Sequence, residues 1–252
     1  VTAADLARLG FPQGLPVTGD VGLVARIDDA GGGGERTAVT LDLAAAEVMV
    51  PAIALWKPVG IAGRLGAVVR ERPGGTRIDD LVVEWPGVEV RGSIRLDAGG
   101  RLDRLDLDPL RIAGTDARLE LARPVVDRLE GRLEGARLDL RPFLQHRARL
   151  NDDADAPEVE VQVMVDEAQT SDAGSLRAVN LRARLRAGSL EEANLQARTP
   201  SSMGSVRLAF APAAGGHGVT MEADDAGSLL RNLGLSDHID GGQLRLTATV
   251  AQ

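Results

Sequence analysis

The chain has 252 residues, a formal net charge of −8, no cysteine, and a single lysine, Lys57, among its 29 basic residues. That length suits one large all-β domain or two ordinary ones, and the lack of Cys excludes disulfides and thiolate metal sites. Arginines dispersed among Asp and Glu, rather than gathered on one face, exclude a nucleic-acid footprint and read as cross-strand charge pairs on a solvated face.

In chain order, Thr2 to Leu9 predicts a short helix with Thr2 as its cap and Gly10 as its stop. Phe11 to Gly19 is a turn-rich connection. Val21 to Asp28 and Arg36 to Ala44 alternate as strands around the glycine run Gly31 to Gly34. No helix and no Lys-Ser/Thr pair follows that run, so it reads as a hairpin tip and not as a phosphate loop. Glu47 to Leu55 and Ile61 to Arg72 are expected to pair around Trp56-Lys57-Pro58-Val59-Gly60.

Arg77 to Trp85 and Val88 to Asp97 follow, joined by the turn dipeptide Pro86-Gly87. In the second of these Val88, Val90, Ile94 and Leu96 share one face. Glu89, Arg91, Ser93, Arg95 and Asp97 share the other. Gly92 interrupts the apolar row and predicts a bend or the close approach of another backbone. Leu102 to Leu110 keeps the rhythm, then Ala117, Leu119 and Leu121 alternate with Arg118 and Glu120. Leu129, Gly131 and Leu133 continue it until the phase slips by one residue near Gly135, which predicts a bulge.

Asp139 to Arg149, with Pro142, fits a short helix through Phe143, Leu144 and Arg147. Asn151 to Pro157 is an acidic loop whose Asp152, Asp153 and Asp155 lack the glycine and distal Glu of a calcium loop. The last third is the most regular. Val159, Val161, Val163 and Val165 alternate with polar residues, as do Val179, Leu181, Ala183, Leu185 and Ala187. Shorter strands over Leu190 to Thr199, Ser205 to Phe210 and Val219 to Ala223 precede a helix from Ala226 to Leu233, stopped by Gly234. A final strand places Leu244, Leu246, Ala248 and Val250 on one side.

Catalytic patterns are missing. His146, His217 and His238 stand in unrelated contexts without a second ligand at i+3 or i+4, no nucleophile elbow occurs, and Glu191-Glu192 and Asp224-Asp225 read as turn and helix-start residues. The expectation is a protein that is not an enzyme and takes no cofactor and no metal. Roughly fifteen short strands with two or three short helices predict a mainly β fold. We expect a long, twisted, curled antiparallel sheet of consecutive hairpins, as a single repeating domain over residues 1–252. No apolar run is long enough to span a bilayer as a helix, and the start at Val1 without a signal-peptide pattern suggests a piece of a longer protein. Leu9-Gly10-Phe11 followed by Gly19-Asp20-Val21-Gly22-Leu23 is echoed by Leu233-Gly234-Leu235 followed by Gly242-Gln243-Leu244-Arg245-Leu246, as in a repeat array.

Two uses of the apolar strand face stay open. It seals against a second sheet in a β-sandwich module that binds no ligand, or it lines a groove suited to acyl chains. An outer-membrane barrel is a poorer fit, because the aromatic girdles are absent. Candidate groove-lining residues are Val88, Val90, Ile94, Leu96, Leu119, Leu121, Val159, Val161, Val163, Val165, Leu181, Leu185, Leu244 and Leu246.

The segment Ser228 to Leu235, continuing through Ile239 to Leu246, resembles the repeated signature of AsmA-like proteins of the YhdP and TamB type. Leu55-Trp56-Lys57-Pro58-Val59-Gly60 resembles the W-K-P-x-G element of that family. The resemblance implies a β-groove in the periplasm of a Gram-negative envelope, tethered to the inner membrane by a segment outside this chain. It implies phospholipid as cargo, neighbouring repeats of the same chain as partners, no nucleic acid and no active site.

Overall fold

A computed structural model describes residues 17–29, 35–50, 55–142, 157–187 and 189–250. The expected helix at 2–9, residues 143–149 of the one expected over Asp139 to Arg149 (whose described residues Arg141 and Pro142 are helical, after Asp139 ends a strand), the Gly31–Gly34 tip, His146, the three aspartates Asp152, Asp153 and Asp155, and the first half of the internal echo before residue 17 lie outside them. The chain divides into two compact units, residues 1–113 and 114–252.

The first unit holds β1 (Val17–Gly19), β2 (Gly22–Asp29), β3 (Glu35–Asp42), β4 (Ala46–Val50), β5 (Leu55–Lys57), β6 (Arg64–Arg72), β7 (Gly75–Trp85), β8 (Val88–Asp97) and β9 (Leu102–Ile112). Its main sheet runs β2-β3-β6-β7-β8-β9, all antiparallel. The expected pairing of residues 47–55 with 61–72 is corrected. β6 pairs with β3, whereas β4 and β5 leave the main sheet and form a three-stranded sheet with β1. The excursion buries apolar area. Ala46 and Val48 of β4 join Val21, Val39, Leu41 and Leu43 in one core cluster, with Val17, Leu23, Leu65 and Trp85 packed against it.

The second unit holds β10 (Thr115–Val125), β11 (Arg128–Asp139), β12 (Glu158–Gln169), β13 (Ser175–Arg186), β14 (Ser189–Arg198), β15 (Ser205–Ala213), β16 (Gly216–Ala223), the helix α1 (Ala226–Asn232) and β17 (Leu244–Val250). These strands are hydrogen-bonded in sequence order, antiparallel except for the parallel pair β11 and β12. The protein is therefore mainly β. Among the described residues its large sheet does not close, since β2 and β17 each have one neighbour, and the longest helix, α1, is seven residues long. This fits a curled sheet.

Local signals in the sequence have local causes in the fold. A Cβ on Gly92 would lie 1.9 Å from the Asp106 carbonyl oxygen, so the gap in the Val88 row is a close backbone approach. The slip near Gly135 is a bulge: Asp116 pairs with Arg137 and Ala117 with Gly135, which leaves Ala136 as the extra residue. Asp225 caps α1 by accepting from the Ser228 backbone N–H at 2.9 Å. Gly234, at φ +70°, ends it. The Gly234 N–H donates to the Arg231 carbonyl and the Leu235 N–H to the Leu230 carbonyl, the paired bonds of a Schellman stop.

Candidate functional site

Register turns alternation along each strand into rows across strands. In the second unit one row reads Leu119, Leu133, Val163, Leu181, Leu195, Leu208, Met221 and Leu246, each the direct cross-strand partner of the next. The neighbouring row reads Leu121, Gly131, Val161, Ala183, Ala193, Phe210, Val219 and Ala248. Gly131 leaves no hole in it. A Cβ there would lie 2.8 Å from a Leu121 methyl and 3.3 Å from a Val161 methyl, so its neighbours already fill the space. On one side of these rows Val165 pairs with Val179 and Leu244 with Ala223. On the other, Val159 pairs with Leu185, which pairs with Leu190. Neither long row contains a charged residue.

Ten of the fourteen candidate lining residues therefore stand on this one face: Leu119, Leu121, Val159, Val161, Val163, Val165, Leu181, Leu185, Leu244 and Leu246. The other four, Val88, Val90, Ile94 and Leu96, belong to the first unit. There Leu23, Leu41, Leu65, Val83, Val90 and Leu110 make a six-strand row of their own. Sequence reasoning missed Leu133, Leu195, Leu208, Met221, Ala183, Ala193, Phe210 and Val219. Counting residues back from the turns joins Leu195 to Leu208 and Met221, and Ala193 to Phe210 and Val219, but bulges at Ala122/Val125 and Arg184/Leu185 defeat it for Leu133 and Ala183.

Burial is uneven along the strands. Val165, Val179, Ala197, Val206 and Ala223 are buried, and Leu229 of α1, 1% exposed, packs into the same cluster. Towards the opposite strand ends Val159, Leu185 and Val219 are half-buried, and Leu190 and Val250 are exposed. Phe210 stacks on His217 at 4.6 Å near that end. One end of the face is thus sealed and the other open.

The reverse face is an ion-pair lattice. Arg118 pairs with its cross-strand partner Glu134, and Arg111 with Glu89 at 2.8 Å. The Arg118 and Arg132 guanidinium groups hold Glu134 below the usual carboxylate range, and Arg111 does the same for Glu89. In the first unit Arg36, Arg70, Arg77, Arg95 and Arg104 stand in direct register across five strands. Like charges placed opposite one another destabilise a sheet. A bulge in β7, with Asp80 at φ +53°, sets Asp79 against both Arg70 and Arg77. Asp103 lies 3.9 Å from Arg95 and Asp106 lies 2.8 Å from Arg104. The ladder is largely neutralised within the fold.

Lys57 of the W-K-P-V-G segment is fully buried. Its Nζ donates to the carbonyls of Leu43 at 2.5 Å, Ala46 at 2.9 Å and Pro58 at 3.3 Å. Its stem crosses Gly63, where a Cβ would lie 2.5 Å from Lys57 Cε. Burial pulls its pKa below the usual lysine range, and the Asp42 charge opposes that pull. This lysine fastens the β4–β5 excursion to the main sheet. Beside it Trp56 is 60% exposed, with its indole N–H donating to Glu47 at 2.9 Å.

Among the described residues no group of three or more His, Cys, Asp or Glu side chains is placed to hold a metal ion, and no helix is long and apolar enough to cross a membrane. No family model, curated protein or solved structure matches the chain.

Proposed function

We propose that the chain is a segment of an envelope protein whose apolar β-face shields phospholipid acyl chains and conducts them between membranes. The observation that carries the reading is the row from Leu119 to Leu246, eight apolar residues on eight adjacent strands. Seven interstrand steps of about 4.8 Å make it roughly 34 Å long. A two-chain phospholipid carries roughly 30 methylenes at ~0.8 kcal/mol each, so exposing its tails to water costs on the order of 20 kcal/mol. An uninterrupted aliphatic lining offsets that cost at every step, and a tail moving from strand to strand meets no charged group in these rows. The AsmA-like resemblance of Leu55–Gly60 and Ser228–Leu246 supplies the setting: periplasm, an inner-membrane tether outside this chain, and neighbouring repeats that continue the face.

The buried cluster at the α1 end favours a second reading, a sealed structural module without ligand, because Val165, Val206 and Leu229 pack there as an ordinary core. Leu181→Asp separates the two. Leu181 is half-buried in the middle of the row, where a carboxylate can reach the open side. Organic extraction and native mass spectrometry of the purified chain should recover phospholipid from the wild type. The variant should keep its strand circular dichroism and lose the lipid. Loss of fold supports the sealed module, and a folded variant with undiminished lipid removes this row from the path.

A further inference from the structure

We infer that β17 is a docking edge for a second copy of this chain, the two β17 strands pairing antiparallel about a two-fold axis at Thr247. The inference stands on the strand edge alone and holds whatever the apolar face carries.

Among the described residues β16 is the only neighbour of β17, so the other side of Leu244–Val250 presents N–H and C=O groups that no described backbone group meets. Every residue from Arg245 to Val250 is exposed. Unpaired groups along an extended strand are a template for another strand. Folded proteins blunt such edges with proline, a bulge or charged side chains. The β17 sequence, Leu-Arg-Leu-Thr-Ala-Thr-Val, has no proline, and its seven pairs with β16 run without a register shift. Arg245 is its one charge, and that side chain is drawn back over the sheet to Glu222 at 3.2 Å. The other terminal strand, β2, exposes Arg26 and Asp28, charges of the kind that discourage pairing.

The strand is complementary to itself. In the antiparallel register centred on Thr247, Leu244 stands opposite Val250 of the second copy, Leu246 opposite Ala248, and Arg245 opposite Thr249. All seven residues pair, apolar meets apolar, and no like charges face one another. A register moved by two residues stays symmetric but leaves two residues of each strand unpaired. One moved by a single residue sets the apolar side of one copy against the polar side of the other.

A two-fold axis perpendicular to the sheet keeps both apolar faces on the same side. The row from Leu119 to Leu246 then meets its own image, and Leu246 and Val250, 44% and 52% exposed, gain cover. Roughly six to eight backbone hydrogen bonds form across the seam. Each copy spends its one free edge, so assembly stops at two. A contact one strand wide is small, so the dimer is concentration-dependent.

Sedimentation velocity on the purified 252-residue chain tests this. The mass should rise from 26.4 kDa on dilution towards twice that value at tens of micromolar. Thr247 is exposed on the charged side of the strand, so a charge there should leave the strand circular dichroism unchanged. Thr247→Lys and Thr247→Glu should each weaken the dimer several-fold, because like charges then face each other across the axis. Added salt should reduce that defect. An equimolar mixture of the two variants should dimerise at least as well as the wild type. Thr249→Glu, which faces Arg245 of the second copy, should tighten the dimer, and it decides alone should the Thr247 variants lose their fold. Recovery in the mixture supports pairing at Thr247. Variants that dimerise like the wild type, or a mixture that does not recover, overturn it. A wild-type chain that stays at 26.4 kDa overturns the docking and leaves the edge to a further strand of the same polypeptide. Open-ended larger species overturn the two-fold closure.

Discussion

The two units close one end of an apolar sheet face with different materials. In the first, β1, β4 and β5 fold over the sheet, and a buried lysine held by three backbone carbonyls fastens them. In the second a two-turn helix does the work, with Leu229 as its plug and a glycine stop at Gly234. A sheet strap turns backbone carbonyls inward, and Lys57 donates to three of them from one side chain. A helix satisfies most of its own backbone, so the second unit needs only caps at the ends and a leucine in the middle. The first device is polar at its heart and the second apolar. They should fail under different insults.

The largest expected effect is Leu229→Ala. Deleting a nearly inaccessible leucine from a packed cluster costs roughly 2–5 kcal/mol, and this site lies towards the upper end because α1 is held too firmly to collapse into the cavity. Chemical denaturation with a probe in each unit should place the loss in the second. Next comes Lys57→Met, which keeps the stem and removes the ammonium; the Leu43 carbonyl keeps the Ala46 N–H as a donor, but the lost Lys57 bonds should still cost about 1–3 kcal/mol. Here the loss should appear in the first unit. If both changes weakened the same unit, the contrast drawn between the two closures would be wrong. Gly234→Val is smaller. At φ +70°, with a Cβ 3.2 Å from Ser171 Cβ, it should exceed the ~1 kcal/mol of an ordinary propensity change. An unchanged thermal midpoint would sink the capping assignment.

How much of this contrast was legible in the sequence follows from the range of each interaction. The period-two alternation names a strand's two faces, and turn residues mark where it ends. Val88–Asp97, the Gly135 bulge, Asp225 and Gly234 were readable because each is decided within a few residues. Alternation does not say which strand lies alongside. The β3–β6 pairing skips two strands, and β11–β12 is parallel across a long connection, so neither follows from a turn signal. Lys57 reads as a surface residue in any composition argument. Its burial depends on three carbonyls at Leu43, Ala46 and Pro58 turning towards one point, a property of backbone paths set by tertiary packing. The apolar rows fall between these cases. Some members, such as Val163 and Leu181, were visible as inward-facing residues and others, such as Leu195 and Met221, were not singled out; the continuity that suggests a conduit exists only once register is known. Register also changes the choice of experiment. Val163 is the natural place to introduce a charge from sequence alone, but it is 7% exposed in the core cluster, so an aspartate there buries an unpaired charge under either reading.

The smallest effect concerns the charged face, and it tests whether that face matters to either closure. Glu134 accepts from Arg118 across the strand pair and from Arg132 two residues away on its own strand. Both interactions hold its folded-state pKa below the ordinary carboxylate value near 4.3. A carboxylate depressed on folding contributes fully above its unfolded pKa and loses that contribution as pH falls through the folded one. The lattice should therefore be at full strength at neutral pH and fade only under acid, below about pH 4. Arg118→Ala removes the larger cause of the depression. Its thermal midpoint should lie slightly below that of the wild type at pH 7 and approach it only as the pH falls through the depressed folded-state pKa of Glu134, below which the carboxyl is protonated in both proteins. Salt should narrow the neutral-pH gap too, because these side chains are solvent-facing and screened. A gap that persisted undiminished in acid and in high salt would mean that Arg118 acts through the packing of its stem rather than its charge. The outer face would then belong to the apolar architecture that the two closures seal.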